Sequence, residues 1–222
     1  YNLISNGLKG QFNNSVISLM GEGYYGKLLK KKRIPVFSLN MDRGQINFSA
    51  VKKLREILID HKPDIIQGWM YHGNLAALLG YIMVNRKVKL SWTIRLSLEI
   101  YKRMKLTTRL AIKLGSYLSK IPDLIIYNSN RSLKQHRTIG YNKENDFSIP
   151  NGFDTKVWKP NKKIRLNLRN KLGLSNTAKV IGYVGRGDDQ KDIPTLFKAF
   201  DRACKKHSNI FLITIGRNLK KY

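Results

Sequence analysis

One segment of the chain combines glycines and basic side chains in a pattern that suits phosphate binding. It spans residues 182–192, with the sequence GYVGRGDDQKD, between an apolar run and a predicted helix. Gly185 and Gly187 would let the backbone approach an anion, and the N-terminal dipole of the helix favours negative charge. Arg186 can bind two phosphate oxygens at once, and Lys191 adds a point charge. A phosphate site is one interpretation, and a plain turn with solvated basic side chains is the other.

Polar side chains also follow three predicted strands in the first part of the chain. His72 follows one strand, Arg95 ends the next, and Asn128 and Ser129 follow a third. Open α/β sheets bind ligands at the carboxyl ends of their strands, so Arg95 could bind a phosphate or carboxylate, and Asn128 and Ser129 could hydrogen-bond a ligand. Each residue also has a structural interpretation. His72 could be a structural histidine, Arg95 could form a surface ion pair, and Asn128 and Ser129 could cap the following helix.

Other common kinds of site do not fit the sequence. The loop lacks the Gly-Lys-Ser/Thr ending of a Walker loop, and its glycines do not give the G-x-G-x-x-G spacing of a dinucleotide site. Cys204 is the only cysteine, and the histidines are scattered without the spacing of metal ligands. We therefore expect no metal site and no cofactor.

The elements that position these residues alternate along the chain as in a parallel sheet covered by helices. The predicted strands of the first domain, residues 1–150, are Val16–Met20, Val36–Leu39, Asp64–Gln67, Lys89–Ile94 and Asp123–Tyr127. The predicted helices are Tyr24–Lys32, Phe48–His61, Asn74–Asn85, Leu106–Lys120 and Ser129–Ile139. The run Leu124–Tyr127 is apolar at consecutive positions, which predicts a central strand buried on both faces.

A turn-rich segment, IPNGFD at residues 149–154, interrupts this alternation and predicts an interdomain crossover. Beyond it the chain predicts a basic helix, a strand, a second helix and a last strand, at Arg165–Leu172, Lys179–Val184, Ile193–Lys206 and Phe211–Ile215. Two strands are fewer than a stable sheet normally has. We therefore expect residues 151–222 to form a second domain that is truncated.

The chain is strongly basic, with a formal net charge of +28 over 222 residues. Such a charge attracts anionic partners, among them nucleic acid, anionic membranes and phosphorylated substrates. The basic residues are dispersed along the chain, which argues against a nucleic-acid-binding tail. A drift of the overall composition toward lysine is an equally good explanation of the charge. The sequence contains no apolar run of about 18 residues, so it predicts no membrane-spanning helix.

Five separated motifs together resemble glycosyltransferase family 4, and they occur in that family's order. They are IQGWMYH at 66–72, WTIR at 92–95, YNSN at 127–130, IPNGFD at 149–154, and GR at 185–186 continuing to KD at 191–192. The resemblance implies a GT-B fold of two Rossmann-like domains, with an acceptor-side domain at 1–150 and the start of a nucleotide-sugar-binding domain at 151–222. It also implies retaining transfer of a sugar from a nucleotide diphosphate without an obligatory metal.

By position, Arg186 and Lys191 match the basic pair that holds the donor diphosphate in this family and stabilises the leaving group. The resemblance thus makes these two residues candidates for catalysis, within a donor loop that includes Gly185 and Gly187. It adds two donor-side residues at the crossover, Asn151 and Gly152, for which a hinge role is an equal alternative. On the acceptor side it makes a sugar or acceptor contact the better interpretation of His72, which is the third catalytic candidate. It adds Arg95, Asn128 and Ser129 as acceptor-binding candidates, and for Asn128 and Ser129 capping of the following helix stays an equal alternative.

Two departures from the family bear on activity. The paired-glutamate motif that contacts the donor sugar and ribose does not follow Tyr222, and the first strand with its glycine-rich loop is not evident in Tyr1–Gly10. We therefore expect this chain alone to bind a donor poorly and to transfer little sugar. A non-catalytic gene fragment and a basic nucleic-acid-binding module are the alternatives, and the second lacks any recognisable binding motif.

The resemblance also implies partners and a location. The expected partners are a nucleotide-sugar donor, a lipid-linked or polysaccharide acceptor of cell-envelope glycan synthesis, and an anionic membrane surface, but not nucleic acid. The expected location is the cytoplasm, at the periphery of the cytoplasmic membrane face. Amphipathic basic stretches such as Leu98–Leu114 suit an anionic lipid surface, although a solvated helix face is the commoner explanation of such a pattern.

Overall fold

The computed structural model describes residues 1–8, 10–42, 45, 47–84 and 87–222, which form two compact units. The first unit runs from Tyr1 to Asn151 and the second from Gly152 to Tyr222. All strand pairs in both units are parallel. The predicted α/β class with parallel sheets is therefore confirmed.

The first unit contains a small sheet and a larger one. Its strands are β1 (Val16–Ser18), β2 (Val36–Ser38), β3 (Ile65–Trp69), β4 (Lys89–Ile94), β5 (Leu124–Tyr127) and β6 (Asp146–Ser148). Strands β1 and β2 pair with each other, and the other four form a sheet in the order β3-β4-β5-β6. Because neighbouring strands are parallel and consecutive, their carboxyl ends lie along one edge of the sheet.

Helices connect these strands. They are α1 (Gly23–Lys31), α2 (Phe48–His61), α3 (Met70–Met83), α4 (Leu106–Leu118) and α5 (Asn130–Thr138), and a π-helical segment, Leu3–Gly7, precedes β1. Asparagine and serine side chains cap two of them: Asn47 Oδ1 accepts from Ala50 N at 2.7 Å, and Ser129 Oγ accepts from Ser132 N at 3.2 Å. These caps satisfy amides that have no partner within the helix.

The core of the first unit lies between the larger sheet and its helices. Strand β4 supplies three of its most deeply buried side chains, with Leu90, Trp92 and Ile94 at most 1% exposed. Helix α3 packs closely on α2, because a Cβ at Gly80 would meet the side chain of Leu58. Burial of this apolar surface is the main favourable term that holds the unit together.

Three predictions for the first unit need correction. Helix α3 begins at Met70 rather than Asn74, and its predicted end at Asn85 lies outside the described residues. Strand β6, Asp146–Ser148, was missed; it lies directly before the turn-rich segment. Strand β5 is interior to the sheet as predicted, but Leu124 and Ile126 on one face are only half-buried.

The second unit is a smaller βα arrangement. It contains α6 (Lys162–Lys171), β7 (Lys179–Val184), α7 (Ile193–Cys204) and β8 (Ile210–Ile215), with β7 and β8 paired in parallel. Arg169 of α6 is buried and donates to the backbone oxygens of Ser175 and Ala178, at 2.5 and 2.9 Å. These bonds attach α6 to the turn that leads into β7.

Candidate functional site

The junction between β3 and α3 places His72 in the first turn of a helix. Strand β3 passes into α3 with no loop, because Met70 takes a left-handed conformation at φ 64°. A non-glycine residue rarely adopts such a conformation, so the junction is locally strained. His72 is exposed there. The prediction placed it ahead of the helix, whereas the structure places it within the helix, close to the carboxyl end of β3.

A buried asparagine fixes this first turn against the sheet. The Asn74 side chain accepts from Thr93 N at 3.3 Å and donates to Thr93 O at 3.5 Å, and Asn74 is only 2% exposed. A Cβ at Gly68 would lie 2.5 Å from Asn74 Cα, so only glycine permits so close an approach of β3 and α3. The backbone that carries His72 is therefore held to both β3 and β4.

A buried histidine cluster lies beneath the same turn. His136 of α5 is fully buried, with its Nδ1 2.8 Å from Ser132 O and its Nε2 3.0 Å from the Tyr71 hydroxyl. Since a carbonyl oxygen can only accept, Nδ1 carries the proton and Nε2 accepts from Tyr71. Burial lowers the pKa of His136 from its ordinary 6.5 to about 4. The imidazole is therefore neutral at physiological pH and links α5 to the residue next to His72.

Three aromatic rings surround this imidazole. Tyr71, Tyr127 and Tyr141 have ring centroids 5.0–5.8 Å from that of His136. Burial raises the pKa of all three phenols. The Tyr141 hydroxyl donates to Ile112 O at 3.1 Å, whereas the buried Tyr127 hydroxyl has no hydrogen-bond partner among the described residues. The sequence contains no signal for this cluster, because His136 and Tyr71 lie 65 residues apart.

The Arg95 side chain occupies the carboxyl end of β4. Its guanidinium lies over the Trp69 ring at 5.1 Å and donates to Asn151 Oδ1. Its backbone N–H points to Met70 Sδ at 3.3 Å. Arg95, Trp69 and Asn151 thus form one polar and aromatic group at the ends of β3 and β4. The sequence motifs contained all three residues, but no sequence signal paired them.

Asn128 and Ser129 follow β5 at the same edge of the sheet. The Asn128 backbone donates to Ile94 O at 3.2 Å, so the residue lies beside the end of β4. Both residues are half-buried. The Ser129 hydroxyl is engaged as the cap of α5, as the structural interpretation of the sequence held. Gly152 is exposed and has open space where a side chain would be.

In the second unit, the loop after β7 packs against the loop after β8. Gly185 N donates to Ile215 O and Gly187 N donates to Arg217 O, at 2.9 and 2.8 Å. A Cβ at Gly187 would lie 2.8 Å from the Asn218 carbonyl carbon, and one at Gly216 would overlap Gly185. These glycines serve close packing of two backbones. Because the Gly185 and Gly187 amides are already engaged, side chains are the more available donors for an anion.

The two basic residues of this loop are accessible. Arg186 forms an ion pair with Asp188 at 2.9 Å, while its side chain remains 71% exposed. Lys191 is exposed and ends a single 3₁₀ turn, Asp189–Lys191, that leads into α7. Asp192 takes a left-handed conformation at φ 46° directly before α7 and makes no side-chain cap. The loop between β7 and α7 thus presents two exposed cations, and Lys191 lies next to the start of α7, where the helix dipole also favours an anion.

The predicted site residues divide between the two units. In the first unit, the carboxyl ends of β3, β4 and β5 carry His72, Arg95, Asn128 and Ser129, and the segment after β6 carries Asn151. In the second unit, the carboxyl end of β7 leads into the loop with Gly185, Arg186, Gly187 and Lys191. Within the described ranges, no three His, Cys, Asp or Glu side chains are grouped as a metal ion would require. Independence of the reaction from metal stays a prediction.

Comparison with known proteins gives a family and a fold. The sequence matches the model of Glycosyltransferase Family 4 over residues 9–157. Comparison with curated protein sequences gave no significant match.

Solved structures resemble the chain along most of its length. A complex of Anabaena Alr3699/HepE with UDP-glucose has a TM-score of 0.75 and 23% identity, over 99% of this chain and 58% of that one. A complex of the same protein with UDP and glucose has a TM-score of 0.74 and 21% identity, over 97% of this chain and 57% of that one. A glycosyltransferase from Rickettsia africae ESF-5 has a TM-score of 0.57 and 14% identity, over 92% and 60% of the two chains.

These similarities establish the fold. At identities below a quarter they show an α/β fold of the GT-B type, which confirms the predicted fold class. The chain spans less than two thirds of the length of each of these three structures.

Proposed function

Because this chain belongs to glycosyltransferase family 4, we propose that it serves the retaining transfer of a sugar from a nucleotide diphosphate to an acceptor. In that reaction the bond from the anomeric carbon to the diphosphate oxygen breaks, and a bond to an acceptor hydroxyl oxygen forms on the same face of the sugar. The hydroxyl proton leaves with the departing diphosphate. The protein has to stabilise the negative charge that develops on this leaving group.

The single observation that carries the proposal is the Arg186–Lys191 loop of the second unit. Both cations are exposed on the loop between β7 and α7, whose glycines pack against the loop after β8. Arg186 binds two phosphate oxygens in the fork geometry of its guanidinium, and Lys191 contributes a compact charge. Asp188 pairs with the Arg186 guanidinium in this structure. In the proposed mode, the more highly charged diphosphate takes the place of Asp188.

The donor is proposed to be a uridine diphosphate sugar. HepE, which shares the fold, has been solved with UDP and with UDP-glucose. Asn151 and Gly152 are proposed as further donor-side residues. Asn151 is positioned by the hydrogen bond that it accepts from Arg95. Gly152 has open space beside its Cα, which suits either a hinge or a contact with a ligand.

The acceptor side is proposed to lie at the carboxyl ends of β3, β4 and β5 in the first unit. His72 is the proposed contact to the transferred sugar or acceptor hydroxyl, on a helical turn held by Asn74. Arg95 has five N–H donors, of which Asn151 takes one, so the others suit a phosphate or carboxylate of the acceptor. Asn128 and Ser129 complete this edge, with an acceptor that is lipid-linked or a polysaccharide.

Titration calorimetry with UDP, UMP and uridine at low ionic strength tests the donor site. We expect weak binding that follows the order UDP, UMP, uridine, because the phosphates supply most of the contacts. Arg186→Ala should weaken UDP binding about tenfold or more, since a hydrogen bond to a charged group is worth about 1.5–3 kcal/mol. Lys191→Ala should have a similar effect.

Lys198→Ala, at an exposed position of α7, is the matched control for loss of one positive charge. It should leave UDP affinity within about twofold, because a surface charge away from the ligand contributes only long-range attraction. Equal losses from Lys198→Ala and Arg186→Ala would show that net charge, and not the loop, binds the nucleotide.

A further inference from the structure

Arg95 is a half-buried arginine that forms no ion pair within the described part of the chain. Two neutral groups hold its guanidinium, namely the Trp69 ring at 5.1 Å and the Asn151 side-chain oxygen. In contrast, Arg131 and Arg137 of the same unit each pair with a carboxylate. Because a charge that is partly removed from water is costly without an opposite charge, the position of Arg95 suits an anionic ligand.

The strand register places the Arg95 and Trp69 side chains on one face of the sheet. Trp69, the last residue of β3, lies opposite Thr93 of β4, and Arg95 is two residues beyond Thr93. Successive side chains of a strand alternate between its faces, so residues two apart share a face. Trp69 remains 44% exposed although the guanidinium lies over its ring. A cation and an open aromatic surface are therefore adjacent, and we call them the Arg95–Trp69 pair.

This combination is complementary to a sugar ring that carries a carboxylate. A pyranose has a face of C–H groups, which buries apolar area when it packs on an aromatic ring. A carboxylate accepts two parallel hydrogen bonds from the guanidinium fork. Arg95 has five N–H groups and Asn151 accepts from one of its nitrogens, so donors remain for both carboxylate oxygens. In a uronic acid the carboxylate is bonded directly to the ring, so one residue of a glycan can make both contacts.

The number of cations distinguishes a carboxylate from a phosphate group at this position. Among the described residues, no second cation lies over the Trp69 ring or bonds to Asn151. A phosphate monoester carries a charge of about −1.5 to −2 at pH 7, which a single guanidinium does not neutralise. The loop proposed to bind a diphosphate presents two cations, Arg186 and Lys191. One guanidinium matches the single charge of a carboxylate.

We propose that the Arg95–Trp69 pair selects an acidic sugar, a uronic acid residue, in the glycan acceptor. Arg95 binds the carboxylate, Trp69 packs against the C–H face of the ring, and Asn151 holds the guanidinium in place. This proposal rests on the acceptor edge proposed above and narrows its substrate class from glycans in general to acidic glycans. It also gives a role to Trp69, whose ring contacts the bound sugar.

Nuclear magnetic resonance of the ¹⁵N-labelled chain during titration with methyl β-D-glucuronide tests the pair. Sodium chloride at about 150 mM screens the general attraction of a basic protein for anions. The chain has three tryptophans, so the indole N–H signals of Trp92 and Trp158 are internal controls for that of Trp69. The Trp69 signal should shift with the glucuronide. Methyl β-D-glucoside, which has a hydroxymethyl group in place of the carboxylate, should need about tenfold or more higher concentration.

Two further probes separate the contributions of the ring and the charge. Acetate has no sugar ring to pack on Trp69, so it should bind about threefold or more weakly than the glucuronide. Acetate binding as tight as that of the glucuronide would reduce the pair to a simple anion site and overturn the role of Trp69. Glucose 6-phosphate should bind no more tightly than the glucuronide, and tighter binding would overturn the assignment to a carboxylate.

Substitutions give a second test, read from the amide signal of residue 95. Arg95→Gln should weaken glucuronide binding about tenfold or more and leave glucoside binding within about twofold. Arg55→Gln, at an exposed position of α2, is the matched control for loss of one arginine and should stay within about twofold of wild type. Equal losses from the two variants would assign the binding to net charge. Trp69→Leu should weaken glucuronide binding about threefold or more, and Trp69→Phe should restore most of it.

The comparison of probes uses the wild-type chain, so it does not depend on the folding of a variant. Equal responses of Trp69 to glucuronide and glucoside, a shift of Trp158 as large as that of Trp69, or no shift at Trp69 at all would overturn the proposal. The donor site is tested separately, because UDP is expected to shift amides of the second unit. Glucuronide binding without UDP binding would refute only the donor loop, and UDP binding without a preference for glucuronide would refute only the acidic acceptor.

Discussion

Acidification should destabilise the first unit through His136. The side chain is fully buried and accepts from Tyr71, and its pKa is lowered to about 4 in the folded protein. In the unfolded chain an ordinary histidine takes up a proton below about pH 6.5. The unfolded state therefore binds more protons between pH 6.5 and 4. Stability is complete above pH 6.5 and is lost as the pH falls toward 4.

The size of the effect follows from the gap between the two pKa values. A gap from 6.5 to about 4 corresponds to about 3 kcal/mol, of which about 2 kcal/mol is already lost at pH 5. The tyrosines around His136 do not contribute, because burial raises their pKa values further above neutrality. The carboxyls of Asp123 and Glu99 have lowered pKa values, the first chiefly through Lys89 and the second chiefly through Ser97, so both stay ionised at pH 5.

Urea denaturation at pH 7.5 and pH 5 measures this loss, with the fluorescence of the buried Trp92 reporting on the same core. Wild type should lose about 2 kcal/mol more between the two pH values than His136→Gln, which cannot titrate in this range. His207→Gln, at an exposed position of the second unit, is the matched control and should keep the pH dependence of wild type. A His136→Gln protein with the same pH dependence as wild type would refute the reasoning.

Three further substitutions test the packing that supports the site. Asn74→Ala leaves the buried Thr93 amide without its side-chain acceptor and should lower the unfolding free energy of the first unit by about 1–3 kcal/mol in urea. Gly187→Ala should lower the melting temperature of the second unit, because its Cβ would displace the Asn218 carbonyl; an unchanged melt would contradict this. Arg169→Met should cost about 1–3 kcal/mol, through the unpaired oxygens of Ser175 and Ala178, and hydrogen exchange should rise in α6.

Much of the α/β architecture could be predicted because its signals are local. Strand β4 has the predicted bounds Lys89–Ile94, and α2 has the predicted bounds Phe48–His61. An apolar run and a helical spacing determine these elements. Ser129 was considered as a helix cap, and it caps α5.

Other features depend on tertiary contacts that no local pattern reveals. Strand β6 has only three residues, Asp146 among them, and aspartate is rare in strands. Arg137 holds it by two bonds to the Asp146 carboxylate, at 2.5 and 2.7 Å. Helix α3 starts at Met70, earlier than predicted, because Met70 adopts a left-handed conformation that no glycine or proline in the sequence signals. The Tyr71–His136 bond joins residues 65 apart in the sequence.

Nuclear magnetic resonance of the ¹⁵N-labelled protein during titration with UDP tests the central claim most directly, because it detects weak binding and locates it. Amide shifts should begin at Arg186 and extend through Lys191 to the first turn of α7, and Arg186→Ala should move their midpoint to about tenfold or more higher UDP concentration. The glycine amides at 185 and 187, which bond to the neighbouring loop, should shift less. Saturable shifts confined to other elements, or none at all at the loop, would contradict a nucleotide diphosphate site there.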